Sequence, residues 1–149
     1  MTPARDHVTP APAWRVTPTA DSHFAWLRTK FSVDRTFMAW LRTSIAMIGF
    51  GFTLVQFFAS FAELAGVAPA ALPRAPVILG LTLVGTGTVA LAIALVQHIE
   101  TLRHLESPQF GAIAERRKHL DPALWLGGAV LVIGIVAFVA IIVRAVIEA

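Results

Sequence analysis

Three long apolar runs alternate with short polar stretches along the chain. Residues 44–62 read SIAMIGFGFTLVQFFASFA, with Ser, Thr and Gln as the only clearly polar members, and residues 77–96 and 123–143 carry no charge at all. A helix needs about 20 mostly apolar residues to cross a bilayer. A water-soluble chain this short has nowhere to bury three helices that are apolar all round. The pattern therefore predicts an all-α, three-transmembrane-helix membrane protein, with spans at about 40–63, 76–98 and 122–145.

The breaks between the runs agree. Residues 65–76, AGVAPAALPRAP, hold three prolines and predict a short turn, with Pro76 placed where a second helix can begin. Asp121-Pro122 repeats the device before the third run, with Asp121 as the expected N-cap. Residues 97–106, QHIETLRHLE, read as a helical extension of the second span into the cytoplasm. Residues 1–20 are rich in Pro, Thr and Ala without periodicity. They are expected to form a disordered cytoplasmic tail ahead of a three-span membrane domain over 21–149. They contain no apolar core of a cleavable signal, so span one is expected to serve as the targeting signal.

Composition adds the solvent. Of 149 residues 56% are hydrophobic and 14% charged, whereas soluble domains carry about 25% charged residues. The absence of cysteine excludes disulfides, Cys-based metal centres and thiol catalysis. Charge placement adds orientation. Arg5, Arg15, Arg28, Lys30, Arg35 and Arg42 precede span one, Arg103, Arg116, Arg117 and Lys118 follow span two, and only Arg74 lies between spans one and two. The positive-inside rule then puts the N-terminus and the second loop in the cytoplasm, and the first loop and the C-terminus outside. Arg144 runs against this trend but can snorkel to the headgroups.

The approach to span one carries the most information. The letters AWLRT occur at 25–29 and again at 39–43, and Arg35-Thr36 falls midway, so Arg28, Arg35 and Arg42 are spaced by sevens. On a helix a seven-residue step drifts by only about 20°, which makes one stripe of the three arginines. The same register collects Asp21, Gly49, Gln56 and Glu63; the neighbouring one collects Ser22, Thr29, Thr36 and Thr43. Phe24, Phe31, Phe37, Met38, Ile45, Phe52 and Phe58 are assigned to the opposite faces. The segment predicts an amphipathic N-terminal lead-in helix that runs into span one.

Two readings of the stripe stay open. In one, a basic helix lies on anionic headgroups with Trp26 and Trp40 as interfacial anchors. In the other, the stripe faces a bundle interior or polar path, where Arg35 and Arg42, with Arg28 behind them, bind an anion such as phosphate through the planar guanidinium fork. Pairing of Asp21 or Asp34 with these arginines is a third use. Thr43, Gln56 and Glu63 continue the polar stripe; Arg116, Arg117 and Lys118 form a basic loop that fixes topology, attracts lipid or docks phosphate. Gly80, Gly85, Gly87, Ala90 and Ala94, and Gly127, Gly128 and Gly134, read as close-packing faces of spans two and three. Glu100 and His104 share a helix face, but no further ligands follow at useful spacing, so no metal site is expected. Without a nucleophile elbow, phosphate loop or paired intramembrane carboxylates, no enzyme is expected. Nor is a cofactor or a nucleic-acid partner.

The run Asp34-Arg35-Thr36-Phe37-Met38-Ala39-Trp40-Leu41-Arg42-Thr43-Ser44, followed by Ile48-Gly49-Phe50-Gly51, resembles the signature of the domain of unknown function 202, the YidH-like membrane family. That family typically shows Glu where this chain has Asp34 and Leu where it has Met38. The resemblance implies a three-helix protein of the bacterial plasma (inner) membrane. The family is similar in turn to the membrane domain of the vacuolar transporter chaperone, which passes polyphosphate across a membrane. It implies that Arg35 and Arg42, the two arginines within the motif, contact polyphosphate or a lipid phosphate. The expected protein is an accessory subunit, a homo-oligomer or one assembled with partner membrane subunits and membrane lipids. The alternative is a purely structural subunit whose basic helix only docks on headgroups.

Reporter fusions after Pro10, Ala70, Ala112 and Ala149 test the orientation. Cytoplasmic signals are expected at Pro10 and Ala112 and external signals at Ala70 and Ala149; a cytoplasmic signal at Ala70 refutes the assignment.

Overall fold

Thr19 starts the first helix. In the computed structural model, which describes residues 16–64, 66, 75–114 and 122–147, with the side chains of Ala62 and Glu63 set aside, the Ser22 N–H donates to Thr19 Oγ1 at 3.1 Å and the Thr19 N–H donates to Ser22 Oγ at 2.9 Å. This is a reciprocal capping box with Ser in the place usually held by Glu. From it α1 runs unbroken over Ala20–Leu64, 45 residues. Gly66, at φ +66°, follows its end in the left-handed conformation that only glycine adopts without strain. α2 spans Ala75–Leu105 and α3 spans Pro122–Ile147. The described residues contain three helices long and apolar enough to cross a membrane.

The expected lead-in is not a separate element: residues 20–39 continue straight into the apolar run. At about 1.5 Å per residue α1 is roughly 65 Å long, twice the hydrocarbon thickness. The extension 97–105 of α2 is helical and runs beside the projecting half of α1. The expected tail 1–20 is structured at its end. The Val16 N–H reaches Gln109 O at 3.4 Å, and Val16 packs on a small core of Trp26, Leu105 and Ile113; residues 1–15 lie outside the described residues.

Glycines set how closely α1 and α2 approach. A Cβ on Gly51 would meet Gly80 O at 2.8 Å, and one on Gly80 would meet Gly51 O at 2.7 Å and collide with Val55 Cγ2. About two turns further along, a Cβ on Gly87 would stand 3.1 Å from Ser44 O. Buried positions on α2 fall at Gly80, Val84, Gly87, Leu91, Ala94 and His98, alternating steps of four and three residues. On α1 the buried partners Phe37, Leu41, Ser44, Ile48, Gly51 and Val55 repeat the same steps. Two such seams pack as antiparallel knobs into holes. α3 closes the bundle through Gly127 against Phe37, Gly134 against Thr88 and Ile48, and Phe138 against Gly85. Ile48, Val55, Val84 and Ile141 form the central core.

These contacts fix the axial register. Pairing Trp26 with Leu105, Phe37 with His98 and Gly51 with Gly80 sets Val96 about level with Thr36 and Val77 about level with Val55. Pairing Phe37 with Gly127, Ile48 with Gly134 and Gln56 with Arg144 sets Ala123 about level with Arg35 and Val143 about level with Val55. Both uncharged runs therefore lie beside residues 35–55 of α1, a slab of about 30 Å. The apolar run of α1 itself sits further along, at 44–62. A slab placed there would leave exposed Val89, Ile93, Val96 and Leu126 outside hydrocarbon. A slab set by the two neighbouring runs instead leaves exposed Phe57, Phe58 and Phe61 near or beyond its far edge.

Gly80→Val should destabilise the purified protein by about 1–3 kcal/mol, the usual cost of overpacking, because its new side chain meets backbone. Gly128→Ala, whose Cβ finds nothing within 4 Å, should be neutral. Equal unfolding temperatures for the two variants in the same detergent would contradict the glycine contact.

Candidate functional site

Arg28, Arg35 and Arg42 all lie exposed on the outer side of α1, turned away from α2 and α3. Among the described residues none of the three forms an ion pair or hydrogen bond. Within one chain the row therefore does not face a bundle interior. The register gives each arginine a height against the uncharged runs of α2 and α3. Arg35 stands level with their near end, Arg28 about 10 Å before it, and Arg42 about 10 Å along it. Arg42 is the one formal charge carried by the described residues between the Arg35 level and the Arg144 level. Helical side chains lean toward the helix N-terminus, so its guanidinium reaches back toward the near surface.

The threonine row beside it offers no donors. Thr29, Thr36 and Thr43 each donate their hydroxyl proton to the carbonyl four residues earlier, at 3.0–3.1 Å. Only lone pairs remain to face outward, so the guanidinium groups are the donors that this row of α1 presents. Gly49 continues the row as open space, with nothing within 4 Å of a Cβ there. Gln56 closes it: its Oε1 accepts a hydrogen bond from Arg144 Nη1 of α3 at 3.0 Å. Arg144 is thus held by a partner helix where snorkelling was expected, and Gln56 serves bundle closure. The side chain of Glu63 and the basic loop Arg116, Arg117 and Lys118 lie outside the described residues.

Several aromatic assignments change. Trp26 is buried, 5% exposed, and its indole N–H donates to Leu105 O at 3.1 Å, so it is a core residue and not a headgroup anchor. Lys30 Nζ stands 5.5 Å over its ring. Trp40 is half exposed. Phe24, Phe31, Met38 and Ile45, assigned above to the face opposite the arginines, are exposed beside them. Only Phe37 of that set is fully buried.

A polar cluster at the slab edge escaped the sequence reading. His98 is buried against Phe37, ring centroids 4.4 Å apart, and its Nε2 lies 3.9 Å from Asp34 Oδ1. Asp34 thus faces α2 and not the arginine row. The signal was present: His98 falls on the four-three steps of the glycine seam, where a buried side chain is required. Beside it Ser32, Thr36 and Trp40 of α1 and Gln97 and Thr101 of α2 rim a cleft of about 190 Å³. Glu100 and His104 both point outward on α2.

The match to known families follows the same segment. Residues 28–104 match the family described as Domain of unknown function (DUF202), so the chain belongs to that family, the YidH-like membrane proteins. The matched stretch begins at Arg28 and ends one residue before the end of α2, covering the α1–α2 seam and the whole arginine row. No curated protein and no solved structure matches the chain.

Proposed function

We propose that this membrane protein is an oligomeric accessory subunit of the bacterial inner membrane whose first-helix arginines hold an anionic phosphate group, of a lipid or of polyphosphate. The observation that carries the reading is Arg42, exposed about 10 Å inside the slab with no partner among the described residues. A charge at such depth costs about 2.5–3.5 kcal/mol on insertion scales. A phosphate oxygen at the guanidinium offsets part of that through a charge-assisted bond of about 1.5–3 kcal/mol. Arg35, one heptad nearer the surface, supplies the second fork, and Arg28 lies in water beyond both. In this proposal the Trp26 end of the bundle is cytoplasmic, no catalysis is assigned, and the partners are lipids and membrane subunits. A purely structural role, with the arginines merely solvated among headgroups, is the competing account.

The two accounts order the variants differently. Arg42→Ala should weaken binding of anionic lipid or inorganic polyphosphate to the purified protein by about tenfold, since about 1.4 kcal/mol is a factor of ten in affinity. Arg42→Lys should recover only part, because an ammonium lacks the planar fork, and Arg28→Ala should matter least. Equal small losses at all three positions, fully rescued by lysine, would leave only headgroup docking standing.

A further inference from the structure

The cleft between α1 and α2 lies beside the arginine row and changes character along its length. Ser32 and Thr36 of α1 and Gln97 and Thr101 of α2 make one end polar, and Trp40 and Ala94 make the other apolar. The change falls where the uncharged run 77–96 of α2 gives way to Gln97. The cleft therefore offers polar groups first and hydrocarbon afterwards, the order in which a phospholipid presents its headgroup and its chains.

Its polar end says what chemistry fits. Among the described residues no Arg, Lys, Asp or Glu lines the cleft, and His98 at its floor stands beside Asp34. The Thr36 hydroxyl donates to Ser32 O at 3.0 Å and the Thr101 hydroxyl to Gln97 O at 2.8 Å, so both present lone pairs. Ser32 and Gln97 are exposed and add a hydroxyl and an amide, which donate as well as accept. This rim suits a neutral group that both donates and accepts, as a hydroxyl does. A phosphate placed here would meet lone pairs and no countercharge. The charge stands next door: Arg35 follows Ser32 by three residues on the same helix face, and its side chain leans back over the turn that carries Ser32. At about 30 Å³ for a water, the cleft of about 190 Å³ holds about six water-sized groups. That is room for a glycerol and too little for a sugar ring.

We propose that the cleft takes the headgroup glycerol of phosphatidylglycerol, with its hydroxyls on the Ser32, Thr36, Gln97 and Thr101 rim. Arg35 holds the phosphodiester, and the acyl chains run inward past Trp40. The inference rests on the phosphate contact proposed above and narrows its ligand to a lipid. Polyphosphate carries charged acceptors along its length and brings no hydroxyl to this rim. An ethanolamine headgroup would bring an ammonium beside the Arg35 guanidinium, and like charges repel.

Native mass spectrometry of the purified full-length protein, offered equimolar lipids with matched chains, tests this. Phosphatidic acid is the reference, because it has the phosphate without the glycerol. The protein should retain phosphatidylglycerol several-fold over phosphatidic acid, although the latter carries more charge, and several-fold over phosphatidylethanolamine. Ser32→Ala combined with Gln97→Leu changes two exposed positions and leaves the core intact. The pair should bring the ratio of phosphatidylglycerol to phosphatidic acid close to one, with phosphatidic acid binding unchanged. Arg35→Ala should lower both lipids together. Equal retention of the three lipids, or a preference that survives the rim variant, overturns the proposal. Displacement of bound phosphatidylglycerol by inorganic polyphosphate at equal phosphate concentration overturns it too. Equal retention with both lipids lost on Arg35→Ala would remove the glycerol site and keep the phosphate contact. A glycerol preference that the rim variant abolishes and Arg35→Ala leaves untouched would keep the cleft and remove that contact.

Discussion

The backbone approach of α1 to α2 at Gly51 and Gly80 is the constraint on which the rest of the fold hangs. In hydrocarbon there is no apolar driving force between helices, because lipid tails are as apolar as leucine. Packing contacts must hold the pair together, and they are strongest where the absence of a Cβ lets backbones touch. Gly51, Gly80 and Gly87 provide those places. By fixing where they meet, they also fix the level of every other residue on the two helices. The height of Arg42 against the uncharged runs of α2 and α3 is a consequence of that register and not of the hydropathy around Arg42 itself.

Helical drift accounts for the two fates of the polar row. A seven-residue repeat drifts by about 20° per step on a straight helix, or about 80° between Arg28 and Gln56. At Arg28 the row points away from the bundle, and by Gln56 it has come round to the α3 side, where Arg144 donates to it. One row therefore does two jobs. Its outer members meet no partner among the described residues, and its last described member ties α1 to α3.

Three spanning helices, their turns and the arginine stripe could be read from run length, proline placement and the seven-residue repeat, since each is a local property of the sequence. The cap at Thr19 was also local but was hidden, because Ser22 stands where Glu would have announced it. What the sequence could not give was anything that depends on the relative heights of two helices. The run 44–62 on α1 suggested one membrane position, and only contact with α2 and α3 shows that their runs lie beside residues 35–55. Trp26 looked like an anchor because tryptophans favour interfaces; its burial depends on Leu105 and Ile113, far away in the chain. Acid–base spacing along one helix makes Glu100 and His104 visible in the sequence, whereas the burial of His98 against Phe37 depends on a second helix.

Spin labels on the threonine row measure the central quantity, the depth of the first helix, with every arginine intact. Cysteine replacements at Thr29, Thr36 and Thr43 can be labelled in bilayers and compared by collision with oxygen and with a water-soluble nickel complex. The register predicts Thr29 in water, Thr36 at the hydrocarbon edge and Thr43 about 10 Å inside. Thr43 at the edge with Thr36 in water, as the run 44–62 alone would have it, would contradict the account.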